Sequence, residues 1–228
     1  MTNPSGKNLS GEQKKTNRMT REKKTLLLVQ FSILLAFEAI FCFTPLGSLP
    51  AIGPIVATLA MIPVVITALL LGTKAGAIMG AFAGLFSFLV WTFTPPSPVV
   101  AFIFTPFYTL GKFSGNFGSI LICFLPRILV GTVAGLTYQA LSKAFPNKNV
   151  LCFSISAALG SLTNTFGVLG GIWLFFGNQY SSIAGQTILY VIGFTILTSG
   201  IPEAVVSAAA ASAVCKAVKS VWKKTRQA

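Results

Sequence analysis

The sequence predicts an all-α polytopic membrane protein, a bundle of six transmembrane helices with both termini cytoplasmic. Three observations predict it. The 228-residue chain is 54% hydrophobic and only 9% charged, where a soluble domain carries roughly 25% charged residues. Its net charge of +13 collects at the two ends, with seven Lys/Arg in residues 1–24 and five in residues 216–228. The middle divides into apolar runs long enough to cross a hydrocarbon core of about 30 Å, which takes about 20 helical residues.

Taken in order, the predicted spans are 25–43, 54–71, 75–93, 117–140, 150–176 and 186–214. Turn residues and polar side chains break the chain between them, at 44–53, 71–74, 94–116, 142–149 and 177–185. Six crossings return the C-terminus to the side of the N-terminus. Charge tests that count independently of hydropathy. With the N-terminus inside, fifteen basic residues fall on the inner side, Lys74, Lys143 and Lys148 among them, while the outer loops hold Lys112 alone. That is the positive-inside pattern of a protein with cytoplasmic ends. Three parts follow: a basic, disordered cytoplasmic tail at 1–24, a membrane domain at 25–215 and a second basic tail at 216–228. The first tail, without apolar periodicity, is expected to lie against anionic headgroups.

Several kinds of chemistry are excluded. The chain has no histidine, which removes His-based acid–base catalysis and the common zinc sites. Its four acids stand far apart in sequence, so no acidic metal cluster is expected. No GxxxxGK[ST] loop occurs, so the chain itself cradles no nucleotide phosphates. Cys42, Cys123, Cys152 and Cys215 lie in or beside apolar runs without a CxxC pair and read as small packing residues. A cleaved leader fits poorly, because no small-residue cleavage site follows the first apolar run. An enzyme is not expected.

Small residues mark where helices approach one another. Gly72, Gly76, Gly80 and Gly84 recur every four residues, and Gly131 and Gly135 repeat the spacing in the fourth span. Such a face is nearly bare backbone and lets a neighbour come close, which matters in lipid because apolar side chains alone do not drive helices together. In span one, Ser32, Ala36 and Ala39 form a comparable face, suited either to the bundle or to a separate membrane subunit.

Three charged residues fall within spans: Glu38, Arg127 and Glu203. Charges there are costly and face the bundle interior or a cavity. Arg127 lies ten residues into its span, roughly 15 Å deep at 1.5 Å per residue. Two readings stand side by side, an Arg127–Glu203 ion pair and an Arg127 that meets an anionic solute with Glu203 setting its geometry. Glu38 reads as a helix-contact residue. Asn164 suits a hydroxylated or amide-bearing ligand and suits an interhelical hydrogen bond equally. Pro202 and Gly200 weaken the helical hydrogen bonds beside Glu203. Residues 94–116 carry an apolar middle between turn residues, with Trp91 closing the preceding span and Tyr108 within the loop. So apolar a loop is expected to fold back over the bundle mouth as a lid, jointly with 44–53.

With these features in place, the chain resembles the S components, the substrate-binding membrane subunits of energy-coupling factor (ECF) vitamin transporters. The resemblance covers about residues 25–215. It is carried by residues 52–88, by LPRILVGTVAGLTYQAL (125–141), by GSLTNTFGVLGGIWLF (160–175) and by PEAVVSAAAASAV (202–214), in that order and spacing. It implies a non-enzymatic subunit that captures a vitamin-like solute at its outer face in the cell membrane of a prokaryote. It also implies a membrane coupling subunit and two cytoplasmic ATPase subunits as partners, with ATP used by those partners and no cofactor in this chain. No nucleic acid is implied. The GSLTNT run is associated with pantothenate-type members, so pantothenate is favoured, with riboflavin and folate as alternatives. Arg127 and Asn164 would serve the carboxylate, amide and hydroxyls of pantothenate, with Glu203, Trp91 and Tyr108 completing the candidate site. Riboflavin would instead want stacking on Trp91 or Trp173. Ser32, Ala36 and Ala39 would contact the coupling subunit, although family members place small residues at four-residue steps and this chain takes a three-residue step from Ala36. A stand-alone secondary carrier is the alternative class, and with two intramembrane acids and no histidine it would have a thin proton relay.

Overall fold

The computed structural model describes residues 5–44 and 59–227, with side chains over 21–44, 59–183 and 185–222. The helices are α1 (Ser5–Phe43), α2 (Met61–Leu71), α3 (Thr73–Phe93), α4 (Phe117–Ala144), α5 (Asn149–Ala184), α6 (Ile188–Thr195) and α7 (Ile201–Gln227). Five stretches are long and apolar enough to cross a membrane: Arg21–Phe43, Thr73–Phe93, Phe117–Ala144, Asn149–Ile183 and Ile188–Trp222. Met61–Leu71 is a shorter apolar helix. The start of the second expected span, and all but Thr44 of the 44–53 loop, lie outside the described residues.

The ends of the chain and one loop add to the expected picture. The basic tail at 1–24, expected to be disordered, is helical from Ser5 and continuous with α1. Once the apolar span is helical, each further residue extends an existing helix and meets no nucleation cost. From Lys216 to Gln227 the basic segment near the C-terminus continues α7. Lys219 there lies over the rings of Tyr138 and Phe153, with Nζ 4.9 Å and 4.7 Å from the centroids, and donates to the Tyr138 hydroxyl. A small hairpin, β1 (Thr109–Leu110) antiparallel to β2 (Phe113–Ser114), turns at Gly111 with φ of 59° within the otherwise all-α fold.

The packed pairs α3–α4, α4–α5 and α5–α7 run antiparallel. Gly76 of α3 faces Gly131 of α4, Gly80 faces Arg127 and Gly84 faces Phe124, while Thr73 meets Gly135. At Gly80 the absence of a side chain is essential, because an added Cβ would fall on the Arg127 carbonyl. Gly72 takes no part in this contact. It has φ of 100° with open space around it and joins α2 to α3, a backbone conformation that glycine adopts without strain. On the other side of α4, Gly160, Gly167 and Gly171 of α5 lie against Ala134, Pro126 and Ile122. Then α5 meets α7 at Thr165–Gly200 and through a 2.7 Å hydrogen bond between Ser154 and Ser212.

Packing divides the bundle into two apolar cores. One surrounds α2 and includes Val65, Met79, Val130, Ala157 and Cys215. The other surrounds a 3-10 turn at Pro98–Ile103 and includes Phe102, Ile122, Val168, Ile172 and Phe176. The boundary falls between Ile122 and Val130 on α4 and between Ala157 and Val168 on α5. Arg127, Ser161, Asn164 and Thr165 occupy that interval, all buried.

Candidate functional site

The polar layer begins with a proline. Pro126 lies inside α4, and having no N–H it leaves the carbonyl of Ile122, four residues earlier, without its helical donor. Arg127 Nη1 donates to that carbonyl at 2.8 Å. The guanidinium also lies over the Phe104 ring, its central carbon 5.7 Å from the centroid, a favourable cation–π placement. Arg127 is buried, yet its Nε has no hydrogen-bond partner among the described residues. A guanidinium so placed is held from one side and keeps donor capacity on another.

Phe104 belongs to the 94–116 loop, which packs into the bundle mouth. Val100 through Phe104 are buried. Ser119 Oγ donates to the Phe102 carbonyl at 2.7 Å, and Thr92 Oγ1 to Thr105 Oγ1 at 2.8 Å. Asn116 caps α4, accepting from Gly118 N while Asn116 N donates to Ser119 Oγ, a reciprocal arrangement that satisfies two exposed donors. Trp91 is half-buried and stacks on Phe104 at 4.5 Å. Tyr108 packs on the same core. Trp173 is 58% exposed on the outer surface of α5, away from this cluster.

Asn164 comes from the row of α5 that packs on α4. Gly160 on that row lies near Val130, and Gly167 lies on Pro126. Asn164 is therefore set against the turn of α4 that carries Arg127. It is buried with Oδ1 unpartnered among the described residues, as are the hydroxyls of Ser161 and Ser207. Glu203 enters from α7, buried, one turn beyond Gly200, which rests on Thr165. The chain reaches it through a π-helical turn at Ile196–Gly200. Pro202 cannot donate to the Thr198 carbonyl, and the widened turn accommodates the missing bond. Contacts of Arg127 include the Ile122 carbonyl and the Phe104 ring.

Glu38 is the residue that the sequence reading assigned elsewhere. It is fully buried, accepts a hydrogen bond from Cys42 Sγ at 3.3 Å and lies close enough to Arg127 for the two charges to interact. The signal was available, since Glu38 is one of only two acids within the apolar region. What was missing was its rotational position on α1. On that helix Ser32 and Ala36 are exposed and Ala39 is half-buried.

Unpaired polar groups inside a protein are rare and expensive. This layer gathers several, on carboxyl, guanidinium, amide and hydroxyl groups, between two apolar cores. Such an arrangement can bind a small solute bearing both a negative group and hydrogen-bonding groups.

Comparison with known proteins agrees. A family model described as the ECF transporter substrate-specific component matches residues 26–215. The chain is 33% identical over 168 residues to the pantothenic acid transporter PanT of Lactococcus lactis subsp. cremoris, covering 72% of this chain and 79% of that one. It is 30% identical over 188 residues to the pantothenate transporter PanT of Leuconostoc mesenteroides subsp. mesenteroides, covering 79% and 76% respectively. A polytopic helical bundle with a buried polar layer, matched along its whole membrane region, places this chain in the family of substrate-specific components of ECF transporters.

Proposed function

We propose that this protein is the pantothenate-binding subunit of an ATP-driven ECF importer in the cell membrane of a prokaryote. The observation that carries the reading is the polar layer, in which Arg127 and Asn164 are buried with unpartnered Nε and Oδ1. The names of the two relatives support pantothenate as the solute. Its carboxylate suits Arg127, for which ion pairing with a bound anion is the natural use of a buried guanidinium. Its amide and hydroxyls suit Asn164 and the serine hydroxyls. The stacking of Trp91 on Phe104 favours a solute read by hydrogen bonds over a flavin that needs an open aromatic face.

In this reading the short helix Met61–Leu71 belongs to a sixth crossing, and both termini are cytoplasmic. The uneven distribution of basic residues supports that orientation. A membrane coupling subunit docks on the exposed face of α1 that carries Ser32 and Ala36, with Ala39 at its edge. Two cytoplasmic ATPases supply the energy, and lipid covers the remaining apolar surface. Titration calorimetry of the purified protein with pantothenate, riboflavin and folate tests the reading. Saturable binding of pantothenate alone is expected, and binding of riboflavin or folate in its place would refute the assignment.

A further inference from the structure

α1 is sparsely enclosed. Between Arg21 and Thr44, Leu26, Val29, Ile33, Phe37 and Ile40 are all exposed, and Glu38 is the one side chain in that stretch that is fully buried. A helix that needed only to seat itself on its neighbours would bury an apolar residue, because a carboxylate taken out of water carries a large desolvation penalty. Glu38 is also incompletely used by the protein. Its Oε1 accepts from Cys42, while Oε2 has no hydrogen-bond partner among the described residues. Groups that act on it are Cys42 from its own helix and Arg127 from α4, with Cys123 of α4 near enough to Cys42 to influence it. Cys123 is itself engaged, its thiol directed to the Gly84 carbonyl at 3.5 Å.

From the burial of Glu38, its unpartnered oxygen and its approach to Arg127, we infer that Glu38 is a solute-contacting residue that sets specificity. Its Oε2 accepts a hydrogen bond from a hydroxyl or amide N–H of the solute while Arg127 binds the solute's carboxylate. The inference rests on the reading of the polar layer as a pantothenate site. The two roles are not exchangeable, because the guanidinium, not Glu38, carries the charge that complements a carboxylate. The bound molecule is thereby oriented, anionic end to Arg127 and donor-bearing end to Glu38. A carboxylate without those donors leaves the Glu38 oxygen unsatisfied and is rejected, as sites built around a buried polar group reject ligands that lack its partner. The arrangement also ties α1 to the solute, although the helix has little other buried surface.

The test is binding of pantothenate to the full-length protein and to Glu38→Gln, together with pantothenate analogues in which one hydroxyl is removed or the amide nitrogen is methylated, one at a time. Glu38→Gln is expected to weaken pantothenate binding severalfold, up to about tenfold, the scale of one hydrogen bond. For one analogue of the set the same substitution is expected to cost nothing, because the donor it served is gone. A merely structural Glu38 would weaken all of them alike, and that result overturns the inference. Glu38→Asp, which keeps the carboxyl group and withdraws its reach, is expected to show the same selective loss, and it replaces Glu38→Gln should the latter not fold. Wild-type protein that binds no pantothenate overturns both the solute assignment and this role. Wild-type binding with Glu38→Gln and Glu38→Asp undiminished overturns the role of Glu38 alone.

Discussion

Arg127 Nη1 donates to the carbonyl oxygen of Ile122 across 2.8 Å, filling the acceptor position that Pro126 leaves open. The helix break and the buried cation are one device. Proline removes an amide, the arginine side chain folds back along its own helix to replace it, and the guanidinium is thereby fixed in the middle of the bundle with its Nε unpartnered.

That device predicts a separable pair of effects. Arg127→Ala should abolish pantothenate binding and also lower stability by about 1–3 kcal/mol, the cost of an unsatisfied buried carbonyl. Adding Pro126→Ala restores an amide for Ile122 and should recover much of the stability without recovering binding. Thermal unfolding in detergent beside calorimetric titration checks both halves, and a double variant that behaves additively would argue against the coupling.

The glycine contact between α3 and α4 predicts steep size dependence. Gly80→Ala places a methyl on the Arg127 carbonyl and should destabilise the bundle by about 1–3 kcal/mol or prevent its assembly, as overpacking does. Gly170→Ala is the matched control, since nothing lies within 4 Å of its added Cβ. Its melting temperature should stay at or above that of the wild type.

Lys219 predicts a smaller effect at the other end. Its ammonium lies over Tyr138 and Phe153, so Lys219→Met, which keeps the stem and removes the charge, should cost about 1–2 kcal/mol. Chemical denaturation of the two proteins in the same detergent measures it. Solute affinity should not change, because Lys219 is far along α7 from Glu203.

Trp91 should report on the site. It stacks on Phe104, which in turn lies beneath the Arg127 guanidinium. Pantothenate should therefore alter tryptophan fluorescence in a variant with Trp173→Phe and Trp222→Phe, and should leave it unaltered in Trp91→Phe. A signal that follows Trp173 instead would place the solute elsewhere.

How much of this was legible beforehand differs from residue to residue. The Gly76–Gly80–Gly84 face could be read from spacing because a helix has one period and small residues on it mark a close neighbour. The weakened helix at Gly200 and Pro202 could be read because proline chemistry is local, and the π-helical turn stands there. Trp173 could not be assigned from sequence, since an aromatic in a span faces lipid or bundle according to rotation alone. Glu38 was visible as a rare buried acid, but its approach to Arg127 joins residues 89 positions apart.

By itself, the sequence determined that this protein is helical, lives in a membrane and carries a handful of costly polar residues inside it. Those properties follow from composition and from periodicities of a few residues. The tertiary structure alone decided which of those polar residues meet. Two apolar cores seal a layer to which α1, α4, α5 and α7 each contribute a side chain, and the partnership of Arg127 runs to Ile122 and Phe104, with Glu38 close by. Helix rotation and antiparallel register settle such meetings, and both depend on how every helix packs on the others at once.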